Sequence, residues 1–334
     1  MASLLTSTHT TDSSNTTETS TNTPNQTLIQ PVQVTMINVE EWKPTPAQVE
    51  ALIEHLQPEE KARVSRFRLE IDKHRSLAGR ILLRWMTNKM LNYPWKDLKF
   101  KRTEESKPYL FSPKREGYNF NVSHHGKWVA GACDTRTLVG VDVMKYERPR
   151  GCKSIPEFFD TMRQYFTKYE WNNIEKEPRR NTSVSGETKT AAGNTNSDTN
   201  DKTNDVEMLQ LRQFYKNWAL KESYIKAVGI GLGFELSRAE FRYVNENMEE
   251  VPDSNTSVMY IDGILKKGWS FDIYEPDHEH CVVVSMGPFK EATPHFLNVL
   301  TIPNEAHESD VVAEVDLPKI KFEILQFDSL VPVK

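Results

Sequence analysis

The apolar residues of this chain change period along its length, and each change marks an element. Over residues 46–57 and 58–92 they recur about every 3.6 positions, most clearly in LAGRILLRWMTNKM, which predicts helices. Shorter runs alternate apolar with polar and predict strands over 96–102, 118–124 (YNFNVSH), 127–133 (KWVAGAC) and 138–144 (LVGVDVM). Helical spacing returns over 155–176 and 208–228. Strand patterns follow near 234–243, 257–262, 268–274 and 280–286. Helix then strands, repeated once, predicts an α+β protein of two similar halves, 31–137 and 138–290. The likeness is one of layout, with no residue-level repeat evident. Residues 291–334 form a C-terminal extension, in which KIKFEILQF predicts a last strand able to pair with either half.

Two tracts break the pattern. Residues 1–30 and 178–206 are mostly Ser, Thr, Asn and other polar types, and bury too little apolar area to offset their ordering entropy. The first is expected to be a disordered tail and the second a disordered surface insert, because loop closure costs grow slowly with length.

Composition narrows the function classes. A net charge of −5 argues against generic nucleic-acid binding. No run of about 18 apolar residues is present, so no membrane span is expected. The three cysteines, Cys133, Cys152 and Cys281, are odd in number and widely spaced, which suits a reducing compartment better than a disulfide framework. The first basic residue is Lys43, so neither a secretory nor an Arg-rich transit peptide is expected. A cytosolic monomer is the simplest reading.

Several stretches carry candidate chemistry. Drawn at about 100° per residue, Leu211, Phe214, Tyr215, Trp218, Ile225 and Gly229 share one stripe of a helix. Glu222 lies near its centre and Lys226 at its edge, while Lys221 falls off it and reads as a flank. A surface Glu–Lys pair is the plain reading, but a carboxylate on an apolar stripe also suits a functional site. In LVGVDVM, Gly140, Asp142 and Met144 share a face opposite three valines. Asp is uncommon inside a strand: either this is a strand end, or Asp142 joins another carboxylate such as Glu222 in a Mg2+ site. In FNVSHH, Phe120 and Val122 point inward, and Asn121 and Ser123 outward, ending at His124 and His125. That strand end reads as a solvated hairpin tip or a phosphate contact. Between Lys61 and Lys107 there are fourteen Lys/Arg against five Asp/Glu. This excess is either a solvated helix face or, through Arg63, Arg66, Arg102 and Lys107, a site for a phosphorylated small molecule. The glycines 229, 231 and 233 follow a helix, not a strand, so they read as a helix end and not a dinucleotide fingerprint.

FNVSH, VGVDVM and WALKESYIKAVGIGLGFEL, in this order and at these separations, resemble the 4′-phosphopantetheinyl transferases of the large Sfp type. The resemblance spans about residues 40–290 and includes QPEEKAR, SLAGRILLRW and KRTEESKPYL. It implies two α+β halves related by pseudo-twofold symmetry, with coenzyme A in the cleft between them. The implied reaction moves phosphopantetheine to a serine of an acyl or peptidyl carrier protein and leaves 3′,5′-ADP. By motif, Asp142 and Glu222 would hold Mg2+, Glu222 would also take the serine proton, and Lys226 would neutralise the departing phosphate. His124 would meet the 3′-phosphate, Asn121, Val122 and Ser123 would line the nucleotide pocket, and Arg63, Arg102 and Lys107 would contact coenzyme A. Met144 stands where many bacterial members carry a third carboxylate, which leaves metal binding to Asp142 and Glu222; His125 has no assigned role. The competing readings are a non-catalytic coenzyme A or carrier-protein binding module, and a Mg2+ hydrolase that splits the coenzyme A pyrophosphate with water.

Overall fold

The computed structural model describes residues 31–176, 198–302 and 319–331. The chain opens with β1 (Val32–Asn38), α1 (Pro46–Ile53), α2 (Pro58–Ser65) and α3 (Glu70–Leu91). A hairpin follows, β2 (Lys99–Arg102) and β3 (Pro108–Ser112), then β4 (Asn119–His125), β5 (Trp128–Asp134) and β6 (Leu138–Lys145). The second run comprises α4 (Ile155–Met162), α5 (Lys168–Ile174), α6 (Asp198–Val228), β7 (Ala239–Tyr243), β8 (Thr256–Ile261), β9 (Ile264–Leu265), β10 (Ser270–Asp277) and β11 (His280–Gly287). It ends with α7 (Pro294–Leu300) and β12 (Ile320–Leu325).

The expected segment 58–92 divides into α2 and α3, and β1, β3 and α7 were not anticipated. Residues 178–197 of the polar insert and the tail 1–30 lie outside the described residues. The last part of that insert, 198–206, belongs to α6 instead. The helix therefore begins well before its apolar stripe.

Two sheets, ordered β12-β1-β5-β4 and β6-β11-β10-β8-β7, are joined through an apolar layer. Val139, Val141 and Val143 of β6 and Val282 and Val284 of β11 meet Val34 and Met36 of β1 and Ala130 and Ala132 of β5. All of these are almost wholly buried, and each buried valine contributes on the order of 1.5–3 kcal/mol. Helices α1–α3 cover the far face of the first sheet and α4–α6 that of the second. The overall class is thus α+β, in two sheet-rich halves.

Where the edge strands β4 and β6 approach one another, asparagine side chains take the place of a backbone ladder. Asn119 Oδ1 accepts from Val139 N and Asn121 Oδ1 from Val141 N, each at 2.8 Å. Asn121 and Ser123 are buried against the second half and do not point outward to solvent, as strand alternation alone suggested. Alternation fixes opposite faces but cannot say that both are covered.

The two halves share a recurring arrangement of contacts, made by residues that mostly differ in type. In α5, Thr167 and Glu170 form a capping box: Thr167 Oγ1 accepts from Glu170 N and Glu170 Oε2 from Thr167 N. The same Glu170 pairs with Lys221 of α6 at 2.8 Å and accepts from Phe241 N at 3.0 Å. In the first half, Gln57 N donates to Glu60, Glu60 pairs with the buried Arg84 of α3, and Gln57 Oε1 accepts from Phe100 N at 2.6 Å. Each long-helix cation also lies over the corresponding phenylalanine, Arg84 on Phe100 and Lys221 on Phe241. Lys221 is therefore no flank. It is fully buried and also donates to the carbonyls of Leu236 and Ala239.

Candidate active site

The contact between α6 and β6 sets the site, and glycine permits it. A Cβ on Gly140 would lie 1.9 Å from the Ser223 carbonyl oxygen and 2.7 Å from Ala227 N. The helix backbone thus rests on the strand at that point. Asp142 is two residues further along the same face of β6, and Glu222 and Lys226 bracket the contacting turn of α6. Around that turn the helix is buried on nearly every side: Ala219, Leu220, Lys221, Ser223, Tyr224, Ile225, Ala227 and Val228 are all covered. Glu222 and Lys226 are its only partly open positions between residues 219 and 229.

Lys226 Nζ donates to Asp142 Oδ1 at 2.5 Å and to Ser123 Oγ at 3.1 Å, and Ser123 Oγ donates to the same Asp142 oxygen at 3.0 Å. Three elements, β4, β6 and α6, thereby converge on one carboxylate oxygen. Asp142 Oδ2 is buried without a hydrogen-bond partner. An orphan carboxylate oxygen of that kind is costly unless something else satisfies it. Burial raises the pKa of Glu222 above the ordinary carboxylate range; the Lys226 charge opposes this and the Asp142 charge adds to it.

Glu222 and Lys226 line a cavity of about 710 Å3 between the halves, with Asn121, Val122, Arg102 and the turn from Gly229 to Leu236. Arg102, Pro108 and Val122 also line a second cavity of about 770 Å3. Its cationic rim is Arg63, Arg66, Arg80 and Arg102, and His124 closes one side. Desolvation lowers the pKa of Arg102, and Arg63 lowers it further; desolvation also lowers that of Arg80, with Arg102, Arg63 and Arg84 adding to it, while the Glu60 charge opposes the shift in both. Such crowding of like charge suits a polyanionic ligand. His124 is held below the ordinary histidine pKa, first by desolvation and then by Arg75, Lys226 and Arg80.

Of the residues singled out in the sequence, the structure thus gathers Asp142, Ser123 and Lys226, with Glu222 one turn away. Arg63, Arg102, Val122 and His124 form part of the adjoining cavity. Lys107 is the exception: its ammonium points into the protein, donating to the carbonyls of Lys226 and Val139. Arg80 escaped the sequence reading, although its place one residue after Gly79 was a usable signal. Gly79 lets α3 approach Val122, where an added Cβ would lie 3.3 Å from Val122 Cγ1. Met144 of β6 is partly buried and packs against the second core. His125 Nδ1 accepts from Lys145 N at 2.9 Å, which gives that residue a structural place.

Comparison with known proteins bears on both halves. Residues 40–136 match the family model described as 4′-phosphopantetheinyl transferase, N-terminal, and residues 138–283 match that of the 4′-phosphopantetheinyl transferase superfamily. The chain is 39% identical over 255 residues to a phosphopantetheinyl transferase of Thraustochytrium sp., covering 76% of this chain and 78% of that protein. It is 34% identical over 295 residues to the L-aminoadipate-semialdehyde dehydrogenase-phosphopantetheinyl transferase of Mus musculus, covering 87% and 82%. Against the 4′-phosphopantetheinyl transferase Sfp of Bacillus subtilis the identity is 25% over 209 residues, covering 62% and 76%.

Proposed function

Because the chain belongs to the 4′-phosphopantetheinyl transferase family, we propose that Asp142, Glu222 and Lys226 carry its transfer of phosphopantetheine. The donor is coenzyme A and the acceptor is a serine hydroxyl of an acyl or peptidyl carrier protein. The observation that carries the residue assignment is the convergence of Lys226 and Ser123 on Asp142 beside Glu222, next to a cavity that shares Arg102, Pro108 and Val122 with an arginine-rimmed one.

In this reading the nucleotide end of coenzyme A occupies the cavity bounded by Arg63, Arg80, Arg102 and His124. Asn121, Val122 and Ser123 form the wall along which it passes towards Glu222. Glu222 accepts the proton of the serine hydroxyl as its oxygen bonds to phosphorus. The bond from that phosphorus to the oxygen of the 3′,5′-ADP leaving group breaks, and Lys226 neutralises the charge left there. A raised carboxylate pKa favours proton uptake by Glu222.

Two carboxylates, one with an unpartnered buried oxygen, also fit a hard divalent cation. Asp142 and Glu222 would hold Mg2+, which when bound would offset the negative charge of the pyrophosphate. Water or substrate would complete its shell, since Met144 offers no ligand for it.

Three free thiols, of which Cys133 and Cys281 are buried with pKa values pushed up by burial to about 12, suit a reducing cytosolic setting. No helix among the described residues is long and apolar enough to cross a membrane. We take the working unit as a monomer, since residues of both halves line the cleft within one chain, and its partners as coenzyme A and a carrier protein, with no nucleic acid.

Mass spectrometry of an apo carrier protein incubated with the protein, coenzyme A and Mg2+ tests the reading. One added phosphopantetheine is expected. No mass gain with any of several apo carriers, for a folded chain that binds coenzyme A, contradicts it. Release of 3′,5′-ADP without a carrier would point to hydrolysis instead.

A further inference from the structure

Lys107 is 5% exposed, unusual for a lysine that lines a cavity. Its stem runs past the residue that closes α6. A Cβ on Gly229, which has φ of +79°, would lie 3.4 Å from Lys107 Cγ. The ammonium donates to the carbonyl of Lys226 and, at 3.4 Å, to that of Val139, and it sits 4.9 Å from the ring centre of Phe296. The turn that delivers it is fixed from outside by Glu105, whose Oε1 lies 2.7 Å from His295 Nδ1. Burial, with the nearby charge of Lys226, pushes the Lys107 pKa down to about 7.

The last carbonyls of a helix have no partner within it, and a cation there suits the helix dipole. Gly229 N and Thr293 N satisfy two of them, those of Ile225 and Val228. Lys107 satisfies that of Lys226. Lys226 is consequently gripped twice, at its carbonyl by Lys107 and at its ammonium by Ser123 and Asp142. Because Val139 lies three residues before Asp142, the same ammonium also fixes β6. One side chain from the β2–β3 hairpin thus sets the spacing between the helix that carries Glu222 and Lys226 and the strand that carries Asp142.

We propose that Lys107 is a positioning residue that sets Lys226 against Asp142, and not a contact to a coenzyme A phosphate. The inference rests on the transfer reading given above. A phosphate contact would hold its ammonium in the cavity and would be felt in the affinity for coenzyme A. A positioning residue is felt in turnover.

Two measurements separate these roles. The first acetylates the wild-type chain with a water-soluble reagent, with and without coenzyme A, and maps modified lysines by mass spectrometry. Lys107 is expected to stay unmodified in both samples. Modification that coenzyme A suppresses overturns the proposal. The second measures steady-state kinetics and coenzyme A affinity for Lys107→Met, which keeps the stem and removes the donors. The expected result is kcat lowered about tenfold to hundredfold, with KM and Kd for coenzyme A within about twofold of wild type. A raised KM at unchanged kcat overturns the proposal, and so does wild-type behaviour. The parallel wild-type assay keeps the two levels apart: a folded wild type that transfers nothing contradicts the transfer reading, whereas the acetylation pattern tests the placement of Lys107 without any turnover.

Discussion

Glu222 shows how much a single position reveals and conceals. Helical spacing put it on the stripe of Phe214, Trp218 and Ile225, and the structure puts that part of the stripe on a cavity. Lys221, one residue earlier, looked like a flank, yet it is almost wholly buried. The difference lies in tertiary partners: Glu170 and two carbonyls compensate Lys221, and nothing in its local sequence announces them. Arg80 was hidden for a related reason, being one of fourteen basic residues in a stretch where only the fold selects those facing the cavity. Its guanidinium donates to the Ser76 carbonyl and hydroxyl at 2.7 and 2.6 Å, holding it on the cavity side of α3. Arg80→Gln is expected to raise KM for coenzyme A about tenfold with little change in kcat. Initial rates at varied coenzyme A check this, and an unchanged KM would remove Arg80 from the ligand site.

At the scale of elements, the α6–β6 contact and the α5–α6 tie carry the site. Gly140 has no room for a methyl group, since the Ser223 carbonyl and Ala227 amide occupy that space. Gly140→Ala should push α6 off β6 and separate Glu222 and Lys226 from Asp142. A loss of transfer of about a hundredfold is expected, larger than any change in coenzyme A affinity, measured by the carrier mass shift beside calorimetric binding. Lys221→Met leaves Glu170 buried without its cation. It should cost about 3–5 kcal/mol, seen as a lower guanidinium midpoint at pH 7. The G-x-D spacing in VGVDVM was legible as a strand with a polar face, but the closeness of a helix to that glycine was not. The repeat linking Glu60 with Arg84 and Glu170 with Lys221 was equally illegible, because the partners differ in type, Gln57 matching Thr167 and Arg84 matching Lys221.

On the scale of the whole molecule, the periodicities did establish two helix-and-strand runs, and their helices cover the outer faces of two sheets that share one apolar layer. They could not place β12, whose predicted strand fitted either half. It pairs in parallel with β1 and stacks Phe322 on Tyr274 of β10, and Phe327 stacks on Trp42. A segment beyond the matched family regions thus touches both halves, a contact made across most of the chain and invisible to local pattern. The cleft itself depends on residues from both halves, Ser123 from one and Asp142, Glu222 and Lys226 from the other. The most direct test of that shared site compares Glu222→Gln with wild type, following the mass of an apo carrier with coenzyme A and Mg2+ while coenzyme A binding and thermal midpoint are recorded. The account predicts that wild type adds one phosphopantetheine, and that the variant stays folded, binds coenzyme A and transfers at least about a hundredfold more slowly. Near-normal transfer by the variant would contradict it.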